Sequence, residues 1–137
     1  MKYLLILLLL FSTQVFANLN GKGLLCTFFK NTSPEAYYFT SDKNFTSDNI
    51  SLVNDTYKIF TRKINDYKTD IDFIYLKDFA KVNRKTLEIF ITSNPDKPFG
   101  KCEAYNSNEI EGLKVKHKDI KMLLQEKYNK KLEGNKI

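Results

Sequence analysis

The sequence predicts a mainly β domain: an antiparallel meander of about seven strands that closes as a small barrel or sandwich, with a C-terminal α-helix. Three observations favour this fold class. Aromatic residues make up 14% of the 137 residues, and together with frequent Ile and Val they favour strands over helices. Short alternating runs are separated by turn-forming residues. After Tyr105 the pattern changes to apolar residues at helical spacing.

The N-terminal segment, residues 1–17, has the pattern of a cleavable signal peptide. Lys2 supplies a positive charge, residues 4–11 form an apolar run, and the segment ends at the small residue Ala17. A membrane-spanning helix would need about 20 apolar residues, and polar side chains interrupt this run earlier. We therefore expect an exported, periplasmic or extracellular protein whose mature form begins at or near Asn18.

The next unit, residues 18–113, is predicted to be the antiparallel β domain. Connections rich in Asn, Asp and Pro separate its strands, and connections this short indicate antiparallel neighbours. Such a meander must close into a barrel or fold into a sandwich to protect its edges. The predicted strands are residues 24–30, 36–41, 50–53, 57–64, 71–77, 86–92 and 99–105.

Alternation of apolar and polar residues assigns one face of these strands to the core. Residues 42–48 and 82–84, by contrast, are rich in turn formers and are predicted to be connections. The residues expected on the inward face are Leu24, Cys26, Phe28, Ile50, Leu52, Leu87, Ile89 and Ile91.

The two cysteines, Cys26 and Cys102, are predicted to form one disulfide. An even count in an exported chain leaves no thiol unpaired in an oxidising compartment. The bridge would join the first and last predicted strands, which favours barrel closure over an open sheet. A redox role is less expected, because redox pairs usually occur as Cys-x-x-Cys.

The C-terminal unit, residues 114–137, is predicted to be a basic amphipathic helix packed on the β domain. An isolated helix of this length is marginal in water, so its apolar stripe should dock on a surface. Gly134 is placed as the end of the helix. The stripe consists of Ile120, Leu123, Leu124, Tyr128 and Leu132.

This tail also carries the excess positive charge. Residues 114–137 hold eight lysines against three carboxylates, a net charge of +5, while residues 18–113 balance. Such a run usually means a solvated helix, and the alternative is contact with an anionic membrane surface or an acidic partner. Nucleic acid is not expected, since the tail has no Arg. The lysines available for such a contact are Lys116, Lys121, Lys127, Lys130 and Lys131.

No catalytic, metal or cofactor site is predicted. His117 is the sole histidine, which excludes a His-based metal cluster, and we expect it to be exposed among lysines. Asp70 and Asp72 could act as paired carboxylates or calcium ligands, although Asx-turn chemistry is the commoner use of such a pair. No serine has a nucleophile motif, and no Gly-rich phosphate loop is present.

The first strand begins Gly-Leu-Leu-Cys at residues 23–26, a late hairpin spans residues 79–87, and the second cysteine lies in Lys-Cys-Glu at residues 101–103. With the signal peptide and basic helical end, these segments resemble small uncharacterised exported proteins of bacteria. The resemblance implies the β domain with its tail and implies no activity. Residues 20–23 also resemble the start of a lipocalin, although this chain has no Trp. Exported lysozyme inhibitors are similar as small disulfide-held barrels, but their inhibitory loop motif is not found here.

The leading functional hypothesis is therefore an exported, non-enzymatic binding or interaction module whose partner is an unidentified envelope or extracellular protein. The alternative is a carrier of a small apolar molecule with a lipocalin-like barrel, and its ligand would lie among residues such as Phe28, Phe73 and Ile89. An enzyme is the third hypothesis. Oligomeric state is not predicted.

Overall fold

The computed structural model describes residues 18–30 and 33–135, so the predicted signal peptide lies outside the described residues. A 3-10 turn at Ser107–Glu109 leads into helix α1, Ile110–Gly134. Nine antiparallel strands form one sheet that curls into a half-barrel, which confirms the predicted fold class. The strands are β1 Gly23–Phe28, β2 Glu35–Phe39, β3 Phe45–Val53, β4 Thr56–Ile64, β5 Lys68–Thr69, β6 Phe73–Leu76, β7 Ala80–Asn83, β8 Glu88–Ile91 and β9 Gly100–Tyr105.

The two ends of the meander meet in the middle of the sheet. The strand order is β4-β3-β2-β1-β9-β8-β7-β6-β5, so β1 and β9 are the one neighbouring pair that is not consecutive in the chain. Cys26 lies directly opposite Cys102 in this pair, and their Sγ atoms are bonded at 2.01 Å. The predicted disulfide between the first and last strands is confirmed.

Two segments predicted as connections are strands. Residues 45–48 belong to β3, in which Phe45 is fully buried, and residues 82–83 belong to β7, in which Val82 is fully buried. In each segment only alternate residues need to be apolar, and the polar residues between them gave the composition of a turn. The two-residue strand β5 is too short to produce a pattern.

The predicted inward face of β3 is wrong. Phe45 belongs to the interior core, so alternation along the strand places Ile50 and Leu52 on the opposite, convex face of the sheet. Helix α1 packs on this convex face, and Ile50 is buried there although it does not face the interior. Because both faces of this sheet bury apolar residues, a period of two does not identify the interior face.

Helix α1 packs on the convex face through its first turns. Leu113 is fully buried against Leu25 of β1 and Ala36 of β2. Gly23 of β1 allows this close approach, because a Cβ atom there would lie 2.6 Å from Leu113 Cδ2. A side chain at position 23 would therefore require the Leu113 side chain to move.

The predicted apolar stripe of the helix is partly right. Ile120, Leu124 and Tyr128 are half-buried, whereas Leu123 and Leu132 are exposed. The C-terminal half of the helix reaches the β3–β4 hairpin, where the Tyr128 hydroxyl donates to Asp55 Oδ1 at 2.5 Å. The side that faces the sheet begins at Leu113 in the first turns, upstream of the stripe predicted from the later leucines.

His117 is buried, and the prediction that it would be exposed is wrong. Its Nε2 atom lies 3.0 Å from the carbonyl oxygen of Pro34, which immediately precedes β2. Lysines flank His117 in the sequence, but they lie on other sides of the helix and are exposed. The contact ties the helix to the start of β2 and to the end of the loop that follows β1.

Candidate functional site: a cavity at one end of the half-barrel

The interior of the half-barrel has two ends with different packing. The filled end consists of Leu19, Phe39, Phe45 and Tyr67, all buried. The Tyr67 ring meets those of Phe39 and Phe45 edge to face, with centroids 4.9 and 6.2 Å apart. The Tyr67 hydroxyl donates to the carbonyl oxygen of Ser41 at 2.9 Å. At this end the aromatic rings therefore pack against one another, and the Tyr67 hydroxyl is hydrogen-bonded.

The opposite end, which we call the cavity end, is hollow. A cavity of about 760 Å³ lies between the ends of strands β1, β2, β7, β8 and β9. Its volume falls in the range of roughly 300–1,000 Å³ that is usual for small-molecule sites. The residues that line it are Phe28, Phe29, Lys30, Glu35, Tyr37, Phe79, Ala80, Ile91, Asn94, Lys97, Pro98 and Phe99.

The walls of the cavity are mainly apolar, and five of the twelve lining residues are aromatic. The rings of Phe28 and Phe99 stack in parallel, with centroids 5.1 Å apart and an interplanar angle of 3°. Phe29 and Phe79 line the mouth, and both rings remain exposed. Ala80, a buried core residue, contributes only a methyl group to the lining. Exposed aromatic rings around a hollow are a surface that a ligand would cover.

One carboxylate, that of Glu35, faces this apolar cavity. The Tyr37 hydroxyl donates to Glu35 Oε2 at 2.6 Å, and the Ser47 hydroxyl donates to Oε1 at 3.1 Å. Arg62 Nη2 lies 3.9 Å from Oε1. Burial and the neighbouring Glu35 charge raise the pKa of Tyr37 far above its ordinary value. Tyr37 therefore remains a neutral hydrogen-bond donor to the carboxylate.

The structure brings together only part of the site predicted for an apolar ligand. Phe28 lines the cavity, while Ile89 is a fully buried core residue. Phe73 is on the convex face of the sheet, where Lys81 Nζ lies 4.4 Å from its ring centroid. Its neighbour Ile74 takes the interior position in β6, so alternation turns Phe73 outward.

Sequence reasoning missed Glu35, Phe79 and Phe99. A signal existed for the first of these, because Glu35 begins an otherwise apolar strand, Glu-Ala-Tyr-Tyr-Phe, and alternates with Tyr37 and Phe39. A charged residue at an inward position of a strand needs hydrogen-bond partners inside the fold.

The lysines of the C-terminal helix differ in whether they form an ion pair. Lys116 Nζ donates to Glu103 Oε2 at 2.7 Å, an interaction that raises the pKa of Lys116 and lowers that of Glu103. Lys130 pairs with Glu126 at 2.7 Å, one helical turn away. Within residues 18–30 and 33–135, no ion pair involves Lys121, Lys127 or Lys131. Contact of these lysines with an anionic surface stays a prediction.

The aspartates considered as a catalytic or calcium pair are used in a turn. Asp70 Oδ1 accepts the backbone N–H groups of Asp72 and Phe73, and Oδ2 accepts the Tyr75 hydroxyl at 2.7 Å. These hydrogen bonds lower the pKa of Asp70, and the bond from Tyr75 has the largest effect. Asx-turn chemistry, the commoner interpretation, accounts for Asp70. In the described part of the chain, no group of three or more His, Cys, Asp or Glu side chains could hold a metal ion.

Comparisons with protein-family models, with curated proteins and with solved structures found no match to this chain. Across the residues that the structure describes, no helix has the length and apolar character needed to cross a membrane. The fold and the cavity thus define a disulfide-bonded β half-barrel with one filled end and one open, aromatic-lined end.

Proposed function

We propose that this protein is an exported, non-enzymatic binding protein that holds a small, mainly apolar molecule in the cavity. The cavity itself carries the proposal: about 760 Å³ of space walled by aromatic rings and reached through an open mouth. Burial of apolar surface contributes about 25 cal/mol per Å². A ligand that covered these rings would therefore gain most of its affinity from the walls.

The cavity favours a small ligand over a protein partner. A stable protein interface covers about 800 Å² on each partner, whereas the residues here line a concave space of about 760 Å³. A small molecule, by contrast, fits a concave site with apolar walls and a few polar groups. The cavity end has this combination, with Glu35, Asn94 and two lysines among the apolar lining residues.

We place the protein in the periplasm or outside the cell. The Cys26–Cys102 disulfide fits an oxidising compartment, and residues 1–17 have the pattern of a signal peptide. N-terminal sequencing of the protein recovered from its host should give Asn18 or a residue next to it as the first residue. A retained Met1 would contradict export by this route.

A neutral fluorescent probe tests the binding function. N-phenyl-1-naphthylamine is uncharged at neutral pH, and its emission rises in apolar surroundings. It should bind the wild-type protein and bind the Phe79→Ser variant about tenfold more weakly, because one apolar wall is lost. Phe60→Ser is the matched control, since Phe60 is 42% exposed against 43% for Phe79 and does not line the cavity.

Two results would contradict the proposed function. One is a wild-type protein that does not raise the emission of the probe at all. The other is an equal loss of binding in the Phe79→Ser and Phe60→Ser variants, which would place the probe elsewhere on the surface. If the probe binds and Phe79→Ser alone weakens it, native mass spectrometry of protein purified from its own host would identify a retained natural ligand by its added mass.

A further inference from the structure

Resting on the proposed function, we infer that the cavity selects a ligand that joins an apolar body to a positively charged amine, with the Glu35 carboxylate as the counter-ion. Three features of the cavity end favour this ligand: the position and partners of Glu35, the aromatic side chains around it, and the different exposure of the acidic and basic groups.

Glu35 is held in place at the start of β2. Tyr37 donates to one carboxylate oxygen and Ser47 to the other, at 2.6 and 3.1 Å. Both partners are neutral hydroxyl groups, so they orient the carboxylate without cancelling its charge. Each carboxylate oxygen has a second lone pair. Because Glu35 lines the cavity, a ligand bound there can donate a further hydrogen bond to the carboxylate.

Arg62 compensates the Glu35 charge only weakly. Its Nη2 atom lies 3.9 Å from Oε1, and its side chain is 66% exposed against 19% for Glu35. Exposed ion pairs contribute little, typically below about 1 kcal/mol. A desolvated carboxylate without a close cation is costly. An ammonium group on the ligand would supply the missing partner.

The aromatic walls suit the same cation. The Phe28 and Phe99 rings form a stacked pair on one wall, and Phe79 and Tyr37 add further rings. The π faces of aromatic rings attract ammonium groups, and this attraction strengthens when water is excluded. The apolar body of the ligand and its charged end are therefore both accommodated in one cavity.

Lys30 and Lys97 also line the cavity and would suit an anionic ligand. Both lysines are exposed, whereas Glu35 is half-buried. Exposed charges are screened by salt, with a Debye length of about 8 Å at physiological ionic strength. A charge in the low-dielectric interior acts more strongly. Glu35 should therefore decide which ligand charge the cavity prefers. Preference for an anionic ligand is the alternative outcome of the test.

Three probes with one body separate these outcomes: 4-phenylbutylamine, 4-phenylbutan-1-ol and 4-phenylbutanoate. Isothermal titration calorimetry of the full mature chain would give a Kd for each. The amine should bind at least about tenfold more tightly than the alcohol, because a hydrogen bond to a charged group is stronger than a neutral one. The butanoate should bind most weakly.

Substitution of the counter-ion links this preference to the site. Glu35→Gln keeps the shape and an acceptor oxygen, so amine affinity should fall to that of the alcohol while alcohol affinity is unchanged. Glu133→Gln removes the same charge from the exposed end of α1 and should leave all three affinities unchanged. Arg62→Gln should strengthen amine binding by up to about fivefold, since it removes a competing cation.

The outcomes distinguish this inference from the proposed function. If none of the three probes binds and the neutral fluorescent probe also fails, the proposed function is wrong. If the alcohol binds as tightly as the amine, or the butanoate binds best, the small-ligand function stands and the amine is excluded. Should Glu35→Gln fail to fold, Glu35→Asp keeps the charge and should keep the amine preference; loss of that preference in folded Glu35→Asp would overturn the inference.

Discussion

The two ends of the half-barrel interior use the same residue types with opposite results. At the filled end, the Tyr67 ring meets those of Phe39 and Phe45 edge to face, and the Phe39 and Phe45 rings are tilted by 46° with centroids 6.0 Å apart. At the cavity end, Phe28 and Phe99 lie flat against each other along one wall, and the space beside them stays open. Large aromatic side chains therefore occur at both ends, and a cavity lies beside those of the cavity end.

The largest expected effect is a loss of stability at the filled end. Phe45 is fully buried, and Phe45→Ala should cost about 3–5 kcal/mol of unfolding free energy through lost burial and a new void. Phe79→Ala at the cavity end should cost less than about 1 kcal/mol, because its ring is 43% exposed. Urea denaturation measures both, and equal losses would erase the distinction between the two ends.

The disulfide supports both ends together. It closes a loop with a sequence separation of 76 residues, which corresponds to about 4.5 kcal/mol of chain entropy in the unfolded state. The double variant Cys26→Ala, Cys102→Ala should therefore lose about 2–5 kcal/mol of unfolding free energy in the same urea assay. Thiol labelling of the denatured, unreduced wild type should give no signal, and two reactive thiols would contradict the bridge.

Two buried alanines allow a substitution beside the cavity to be compared with one in the packed interface under helix α1. Ala80 is a buried core residue that also lines the cavity, whereas Ala36 is fully buried beneath Leu113 of α1. Ala36→Leu should cost about 1–3 kcal/mol through overpacking. Ala80→Leu should cost less than this, because part of the longer side chain can extend into the cavity, and it should weaken binding of the neutral probe. Similar stability losses in the two variants would mean that the cavity end is as tightly packed as the helix interface.

The sequence was sufficient for features that follow from local pattern or from the count of a residue type. Cys26 and Cys102 paired as expected, and alternation located most strands. It was insufficient where a contact between distant segments decides the outcome. Ile50 is buried on the convex face because a helix that begins 60 residues later at Ile110 covers that face. His117 is buried because Pro34, at a sequence separation of 83, presents a carbonyl oxygen to it.

The cavity was beyond sequence pattern for a related reason. Phe28 ends β1, whereas Phe79 and Phe99 lie in two separate connections, and only the curl of the sheet brings the three together. Alternation identifies an inward face, but it does not tell whether the side chains on that face meet or leave space between them. The charge of Glu35 was the one local sign of a site, since its neighbours in β2 are apolar.

A smaller effect on stability at alkaline pH is expected from Tyr38, which lies on the convex face next to the interior residue Tyr37. Burial raises the pKa of Tyr38, on the convex face, to about 12 from an ordinary value of 10.0. Because the folded pKa is raised, the stabilisation is complete below pH 10 and is lost as the pH rises towards about 12. Tyr38→Phe should therefore reduce the fall in Tm between pH 10 and pH 12. An identical fall in the variant would assign the alkaline sensitivity to other groups.

The most direct test of the central claim, that the open end of the half-barrel binds a small apolar molecule, is an NMR titration with N-phenyl-1-naphthylamine. Amide shifts of the isotope-labelled protein would be followed as the neutral probe is added. The account predicts saturable changes at Phe28, Glu35, Ala80 and Phe99, and unchanged signals for Phe45 and Tyr67 at the filled end. Changes confined to helix α1 or the filled end, or no saturable change anywhere, would contradict it.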